Sequence, residues 1–277
     1  MNIQKSKTDN TANIAGSGVS GTQADKAQLT LITSENPDIL GKYYALSRSR
    51  RLTKEIFAHL SSGTAEIIGV AILNDFAAVL SRIADNQALT YGVPETAPIA
   101  LTTQAEWVRK GRPEDEIPRT NETFSWPEGP GIMMADYDPD DDGAVLEPDA
   151  LIAAIRSAVP GLADAEMLTT ASASSWIKNT KTGEWLSQLR GQRVYLMVAD
   201  GTDIDDLTLA CVLKGPLVGL SEEQLFELAY GRGRRSLWDR LGDAAKGDPA
   251  FAAARRFLEA LAARADYVAP FELYSGL

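Results

Sequence analysis

Cysteine, histidine and long apolar runs are what this chain has least of. Cys211 is the only cysteine, so no disulfide framework can be built within the chain. His59 is the only histidine, which excludes a metal centre built on several imidazoles and leaves a serine nucleophile without its ordinary base. No apolar run approaches the roughly 18 residues that a bilayer span needs. Positive charge is also short. The 27 Lys and Arg against 38 Asp and Glu give a formal net charge of −11, which argues against a basic nucleic-acid coat. That exclusion reaches only non-specific phosphate binding, because a metal-dependent enzyme acting on nucleic acid can be acidic overall and basic locally.

What is present suits a globular fold. The chain has 277 residues with 44% hydrophobic content, enough for one large domain or two small ones. The first 27 residues, MNIQKSKTDNTANIAGSGVSGTQADKA, are polar and rich in Ser, Thr, Gly and Asn, which predicts a disordered tail. They contain no apolar h-region of a secretory signal. A lone cysteine without an export signal points to the cytoplasm.

Beyond Gln28, strand and helix patterns alternate. QLTLIT reads as a short strand, and Lys54 to Leu60 as a helical turn or linker. EIIGVAIL (Glu66–Leu73) reads as a second strand. Asp75 is placed to cap a helix whose apolar face is Phe76, Val79, Leu80 and Ile83. Leu101–Pro113 reads as a short helix stopped by Gly111 and Pro113. GIMMADYD (Gly131–Asp138) is an apolar strand that ends in acid, and EPDALIAAIRSAV after it is a helix with Leu151, Ile152, Ile155 and Val159 on one face. TTASASSWIKNTKTGEW reads as a polar loop with a hairpin at NTKTG, and QRVYLMVAD as a strong strand. After about Asp203 strand signals stop. Ser221 with Gln224 has the spacing of a capping box, and DPAFAAARRFLEALAARA is helical by composition and period. The expected fold is α+β: a small mixed or antiparallel sheet with flanking helices, followed by an all-helical C-terminal segment. The expected divisions are a tail over 1–27, a core over 28–203 and a helical segment over 204–277.

The acidic strand end carries the chemistry. Residues two apart on a strand point to one side, so Asp136 and Asp138 present both carboxylates together. Such a pair suits a hard divalent cation such as Mg²⁺ or Mn²⁺ while leaving positions open for phosphate oxygens. A second reading uses some of the same residues. From Asp138 onward, DPDDDGAVLEPD follows a calcium loop, with Asp138, Asp140 and Asp142 as ligands, Gly143 at the turn and Asp149 where a bidentate Glu is usual. The strand-like, Pro- and Gly-containing approach WPEGPGIMMA is not the helix that normally enters such a loop.

Five blocks in one order carry a resemblance: LTYGVPE, WVRKGRPEDEIPRT, FSWPEGPGIMMADYDP, SASSWIKNTKTGEW and LRGQRVYLMVADGTDI. From about Thr64 to Asp203 the chain resembles replication proteins with an archaeo-eukaryotic-type primase/polymerase domain, found in plasmids, phages and mobile elements. The resemblance implies metal-dependent nucleotidyl transfer, with nucleotides and a DNA template as partners and no membrane. It places the family's metal-binding Asp-x-Asp on Asp136 and Asp138. Where the family commonly has a phosphate-contacting histidine, GQRVYL puts Arg193, a fixed cation with a planar fork of donors. The family's third carboxylate falls on no recognisable position. From Asp205 the chain resembles an interior segment of the AddA-type helicase-nuclease that processes double-strand breaks, carried by DDLTLACVLKGPLVGLSEEQLFELAYGRGRRSLWDRL and ARADYVAPFELYSGL. No Walker A motif occurs, so no helicase ATPase activity is implied. A junction near residues 203–206 fits natural fusion, rearrangement or artificial joining equally.

Three functions therefore compete: a primase-like enzyme, a non-catalytic DNA- or protein-binding chimera, and a calcium-loop protein. Other residues are weighed beside them. Arg109, Lys110, Arg112 and Arg119 suit either a template backbone or a solvated helix end. Trp176, Trp185 and Trp238 suit base stacking or core packing. GRGRR (Gly231–Arg235) reads as a surface loop, Cys211 as a small core residue, and His59 as an ordinary histidine.

Overall fold

The computed structural model describes residues 13–15, 26–47, 51–57, 59–120, 122–139, 144–215, 217–233 and 235–265. The fold is mixed α+β. In chain order the strands are β1 (Asn13–Ala15), β2 (Ala27–Asn36), β3 (Gly41–Leu46), β4 (Leu52–Phe57), β5 (Ser62–Val70), β6 (Gln87–Thr90), β7 (Val93–Pro94), β8 (Ile99–Thr102), β9 (Glu116–Pro118), β10 (Phe124–Ser125), β11 (Gly131–Tyr137), β12 (Met167–Ala171) and β13 (Gln192–Val198). The helices are α1 (Leu73–Arg82), α2 (Gln104–Arg109), α3 (Pro148–Ala158), α4 (Ile204–Lys214), α5 (Glu222–Ala229), α6 (Leu237–Ala244) and α7 (Pro249–Ala265). The chain divides into two compact units, Met1–Gly201 and Thr202–Leu277.

In place of one small sheet, the first unit holds a four-stranded sheet, a five-stranded sheet and two ribbons. The four-stranded sheet runs β1-β12-β13-β11 and is antiparallel throughout. The five-stranded sheet runs β6-β2-β5-β8-β9 and is mixed, because β8 and β9 pair in parallel. Period-two alternation sends Ala27 and Leu29 of β2 to one face. The helical period of α1 does the same for Leu73 and Phe76. These residues meet Val70, Ile132, Leu168 and Tyr195 in one core. On the opposite face of the four-stranded sheet, Leu151 and Ile152 of α3 pack on Met167, Val194 and Leu196. The sheet that carries the acidic strand is thus covered on both faces for part of its length. Each fully buried Leu or Phe there contributes about 1.5–3 kcal/mol.

Several local expectations are corrected. Lys54 to Leu60 is not a helical turn: Lys54–Phe57 belong to β4, which pairs antiparallel with β3 from Gly41↔Phe57 to Leu46↔Leu52. Thr53, Ile56 and Phe57 favour an extended chain once a partner strand is available. The second strand is displaced, since β5 ends at Val70 and Leu73 already opens α1. Asp75 does not sit at the N-cap, which is Ile72. It lies in the first turn and accepts the Ala71 N–H from inside at 3.1 Å. Part of the expected polar loop is β12, whose Met167, Leu168 and Thr169 are buried. Within the expected N-terminal tail, Asn13–Ala15 pair with β12, and β2 opens at Ala27.

The second unit has its own core of Leu213, Leu220, Leu228, Leu237, Leu241, Phe251 and Ala254. Ser221 and Gln224 close the capping box at the head of α5, as their spacing predicts. Arg232 pairs with Asp203 and Asp206, and Asp206 also accepts the Leu237 N–H at 2.8 Å. Trp238 packs under the Arg255 guanidinium, 3.4 Å from the ring centroid. Cys211 is exposed rather than a core residue. No helix among the described residues is long and apolar enough to cross a membrane.

Candidate functional site

The register of three strands builds the site. Asp136 of β11 lies opposite Arg193 of β13, which lies opposite Thr170 of β12. Directly opposed residues share a face, so these three side chains form one row across the sheet. The next row inward is Met134, Tyr195 and Leu168, of which Tyr195 and Leu168 belong to the α1 core. The polar row therefore continues the α1 face toward the end of the strands. Asp136 Oδ1 stands 3.7 Å from Arg193 Nε, and the two side chains are 57% and 40% exposed. That distance is an ion pair and too long for a hydrogen bond. Arg193 Nε is itself buried without a hydrogen-bond partner.

A second row lies one step further out. Ser172 donates its backbone N–H to the Gly191 carbonyl at 2.8 Å, continuing the β12–β13 ladder past its last strand residues. Asp138 follows β11 directly and is exposed. A methyl carbon at Gly191 would stand 3.1 Å from Asp138 Oδ1 and 3.2 Å from Ser172 Oγ. Asp138 and Ser172 thus converge on the side of Gly191 where a side chain would project. By alternation from Arg193, that is also the Asp136 face. The absence of a side chain at Gly191 lets the Asp138 carboxylate and the Ser172 hydroxyl close in on its backbone, on the side of the Asp136–Arg193 pair.

The serines hold this edge together. Ser172 Oγ lies 2.8 Å from Ser174 Oγ and 3.2 Å from Ser175 Oγ. Ser175 is buried, donates to the Gly191 carbonyl at 3.2 Å and accepts the Arg190 N–H at 3.0 Å. The expected hairpin at NTKTG is present, with Lys178 bridged to Trp185, Asn179 Oδ1 accepting the Lys181 N–H at 3.0 Å, and Gly183 at φ 73°. Tyr91 flanks the inner row. Its ring stacks on Trp126 at 5.8 Å. Burial pushes its phenol well above the usual range, the Tyr195 phenol pushes it the same way, and the Arg193 charge pulls it partly back.

Other sequence candidates fall elsewhere. Asp140, Asp142 and Gly143 of the calcium reading lie outside the described residues, and Asp149 lies in the first turn of α3. Of the basic cluster, Arg109 pairs with Glu106, Lys110 pairs with Glu116, and Arg112 packs 5.4 Å from the Trp107 ring centroid. His59 is exposed. Among the described residues, no group of three or more His, Cys, Asp or Glu is gathered as a metal site.

The sequence points to Asp136, Asp138 and Arg193, offers Ser172 only as a nucleophile without a histidine base, and does not single out Thr170, Gly191 or Tyr91. One signal was available for Gly191: it stands two residues before Arg193, the same spacing as Asp136 and Asp138. No family model, curated protein or solved structure matches the chain.

Proposed function

We propose that the region over 28–203 is a primase/polymerase-like nucleotidyl-transfer domain of a replication protein, followed by an all-helical, helicase-like segment over 204–277 without ATPase chemistry. The observation that supports this reading is the pair of rows at the sheet end: Asp136 with Arg193 and Thr170, then Asp138 with Gly191 and Ser172. Two exposed carboxylates on one face fit Mg²⁺ or Mn²⁺, which is commonly held by one or two carboxylates together with substrate phosphates. Asp136 and Asp138 would hold it, and it would supply charge neutralisation at a phosphoryl group.

The chain's own residues bind and orient. Arg193 presents a fixed cation with several N–H donors, suited to phosphate oxygens. Its pairing with Asp136 is a loose one, at 3.7 Å between half-exposed side chains, of the kind that contributes about 0–1 kcal/mol. A triphosphate can therefore draw Arg193 away at little cost and release the Asp136 carboxylate. The Ser172 hydroxyl stands on the same side, close against Gly191.

The test is template-directed incorporation of labelled nucleotide by the purified chain with Mg²⁺ or Mn²⁺. Wild type incorporates, and Asp136→Ala with Asp138→Ala abolishes incorporation while the circular-dichroism spectrum stays unchanged. Incorporation by that double variant at the wild-type rate refutes the assignment. The pairing of Arg193 with Asp136 also favours a second reading, a non-catalytic nucleotide- or DNA-binding module. That reading requires binding without incorporation under either metal.

A further inference from the structure

One side of α5 is filled by the core of the second unit, where Leu228 is buried and Leu225 packs beside it. The other side carries two rings. Phe226 and Tyr230 show 64% and 71% of their surface, more than any other large hydrophobic among the described residues. Their rings stack with centroids at 5.1 Å and planes at 24°. The Tyr230 N–H donates to the Phe226 carbonyl at 2.7 Å, so the helical turn that sets this spacing is closed.

The helical period puts carboxylates on the same face. Glu222 stands four residues before Phe226, while Glu223 and Glu227 each stand three before a ring. All three are exposed. At roughly 100° per residue, these acids and rings fall within about 140° of the helix circumference, and Leu225 and Leu228 lie outside that arc. Among the described residues, Lys214 is the one cation paired with these carboxylates, through Glu222. Hydrogen bonds from its own N–H and from Ser221 hold the Glu223 carboxyl below the usual carboxylate range, so it is ionised at neutral pH. The basic loop after α5 is already engaged, Arg232 with Asp203 and Asp206, and Arg235 with Asp243.

We propose that this face of α5 docks an arginine-bearing basic segment of a partner protein, with guanidinium groups lying on Phe226 and Tyr230 and pairing with Glu223 and Glu227. Charge complementarity selects a cation. The carboxylates repel nucleic-acid phosphates and anionic lipid, and a second copy laid face to face would set Glu against Glu. The flat rings select guanidinium over ammonium, because guanidinium stacks on aromatic faces and presents a fork of donors to carboxylates. The chain makes this contact internally, with Arg255 at 3.4 Å from the Trp238 centroid and Arg112 at 5.4 Å from that of Trp107. The docking face uses no residue of the nucleotidyl-transfer reading and does not rest on it.

The experiment measures binding of fluorescein-labelled hexa-arginine to the full chain by anisotropy across a salt series, with hexa-lysine beside it. Wild type binds hexa-arginine with affinity that falls as salt rises. Hexa-lysine, of equal charge, binds about threefold or more weakly. Phe226→Ala with Tyr230→Ala weakens hexa-arginine binding about fivefold or more. Glu223→Gln with Glu227→Gln also weakens it and flattens the salt dependence. Glu114→Gln with Asp115→Asn removes the same charge from an exposed stretch of the first unit and leaves binding within about twofold of wild type. A hexa-arginine peptide carrying benzoylphenylalanine crosslinks wild type within residues 222–230, which decides the matter if a variant fails to fold. The proposal is overturned by absent wild-type binding, by equal affinity for hexa-lysine, or by wild-type affinity in a folded variant of the rings or of the two glutamates. An equal loss in the Glu114 and Asp115 variant, or crosslinks confined elsewhere, overturns it too. A wild-type dimer in light scattering that the ring variant makes monomeric seats a second copy on this face and likewise overturns it.

Discussion

Arg193 is where three influences on the site meet. It faces Asp136 across the ladder, Thr170 on its other side, and its charge acts on the buried Tyr91 phenol. Tyr91 reports on that environment. Its folded pKa is raised above the ordinary tyrosine value of 10.0, first by burial. A raised pKa means that the folded state holds the proton longer than the unfolded one. The associated stability is full below pH 10.0 and is lost as pH rises through the folded value. Alkaline absorbance titration checks this: Tyr91→Phe loses a phenol that ionises late, after the ordinary tyrosines. Loss of a phenol that titrates near pH 10.0 would contradict the burial described for Tyr91.

At the scale of elements, helix ends and strand pairings divide what local sequence can tell from what it cannot. The head of α5 is local. Ser221 Oγ accepts the Gln224 N–H at 3.2 Å, and Gln224 Oε1 accepts the Ser221 N–H at 2.9 Å. Ser221→Ala removes one half of that reciprocal pair and costs about 1 kcal/mol, read as a lower urea midpoint at an unchanged slope. Such a cap is legible because its partners are three residues apart. The strands β11 and β13 were legible for a similar reason, each being a short apolar run with its own boundary signals. The β4 strand was not. Ile56, Phe57 and Leu60 have helical spacing, and only pairing with β3 makes Leu52–Phe57 extended. The site follows the same rule. Alternation alone gave Asp136 and Asp138 a common side. That Arg193 opposes Asp136, and that Asp138 and Ser172 both close on Gly191, are facts of register between segments far apart in sequence.

At the scale of the whole molecule, hydrophobic clusters that each fall within one unit argue for two packing problems solved separately. Phe76 is fully buried among β2, β5, β11, β12 and β13 residues of the first unit. Leu241 is fully buried among residues of α4 to α7 and their connections in the second. Among the described residues, each cluster draws its members from one unit. A cavity is felt by the side chains that line it, since a close-packed interior relaxes only in part. Phe76→Ala, at about 3–5 kcal/mol, should therefore strip amide protection from the first unit. Leu241→Ala, at about 2–5 kcal/mol, should strip it from the second. Hydrogen exchange read by mass spectrometry separates the two, because it reports opening segment by segment. If either substitution accelerates exchange equally in both units, the division at Gly201 and Thr202 is not an energetic one, and the helical segment shares its stability with the sheet that carries Asp136.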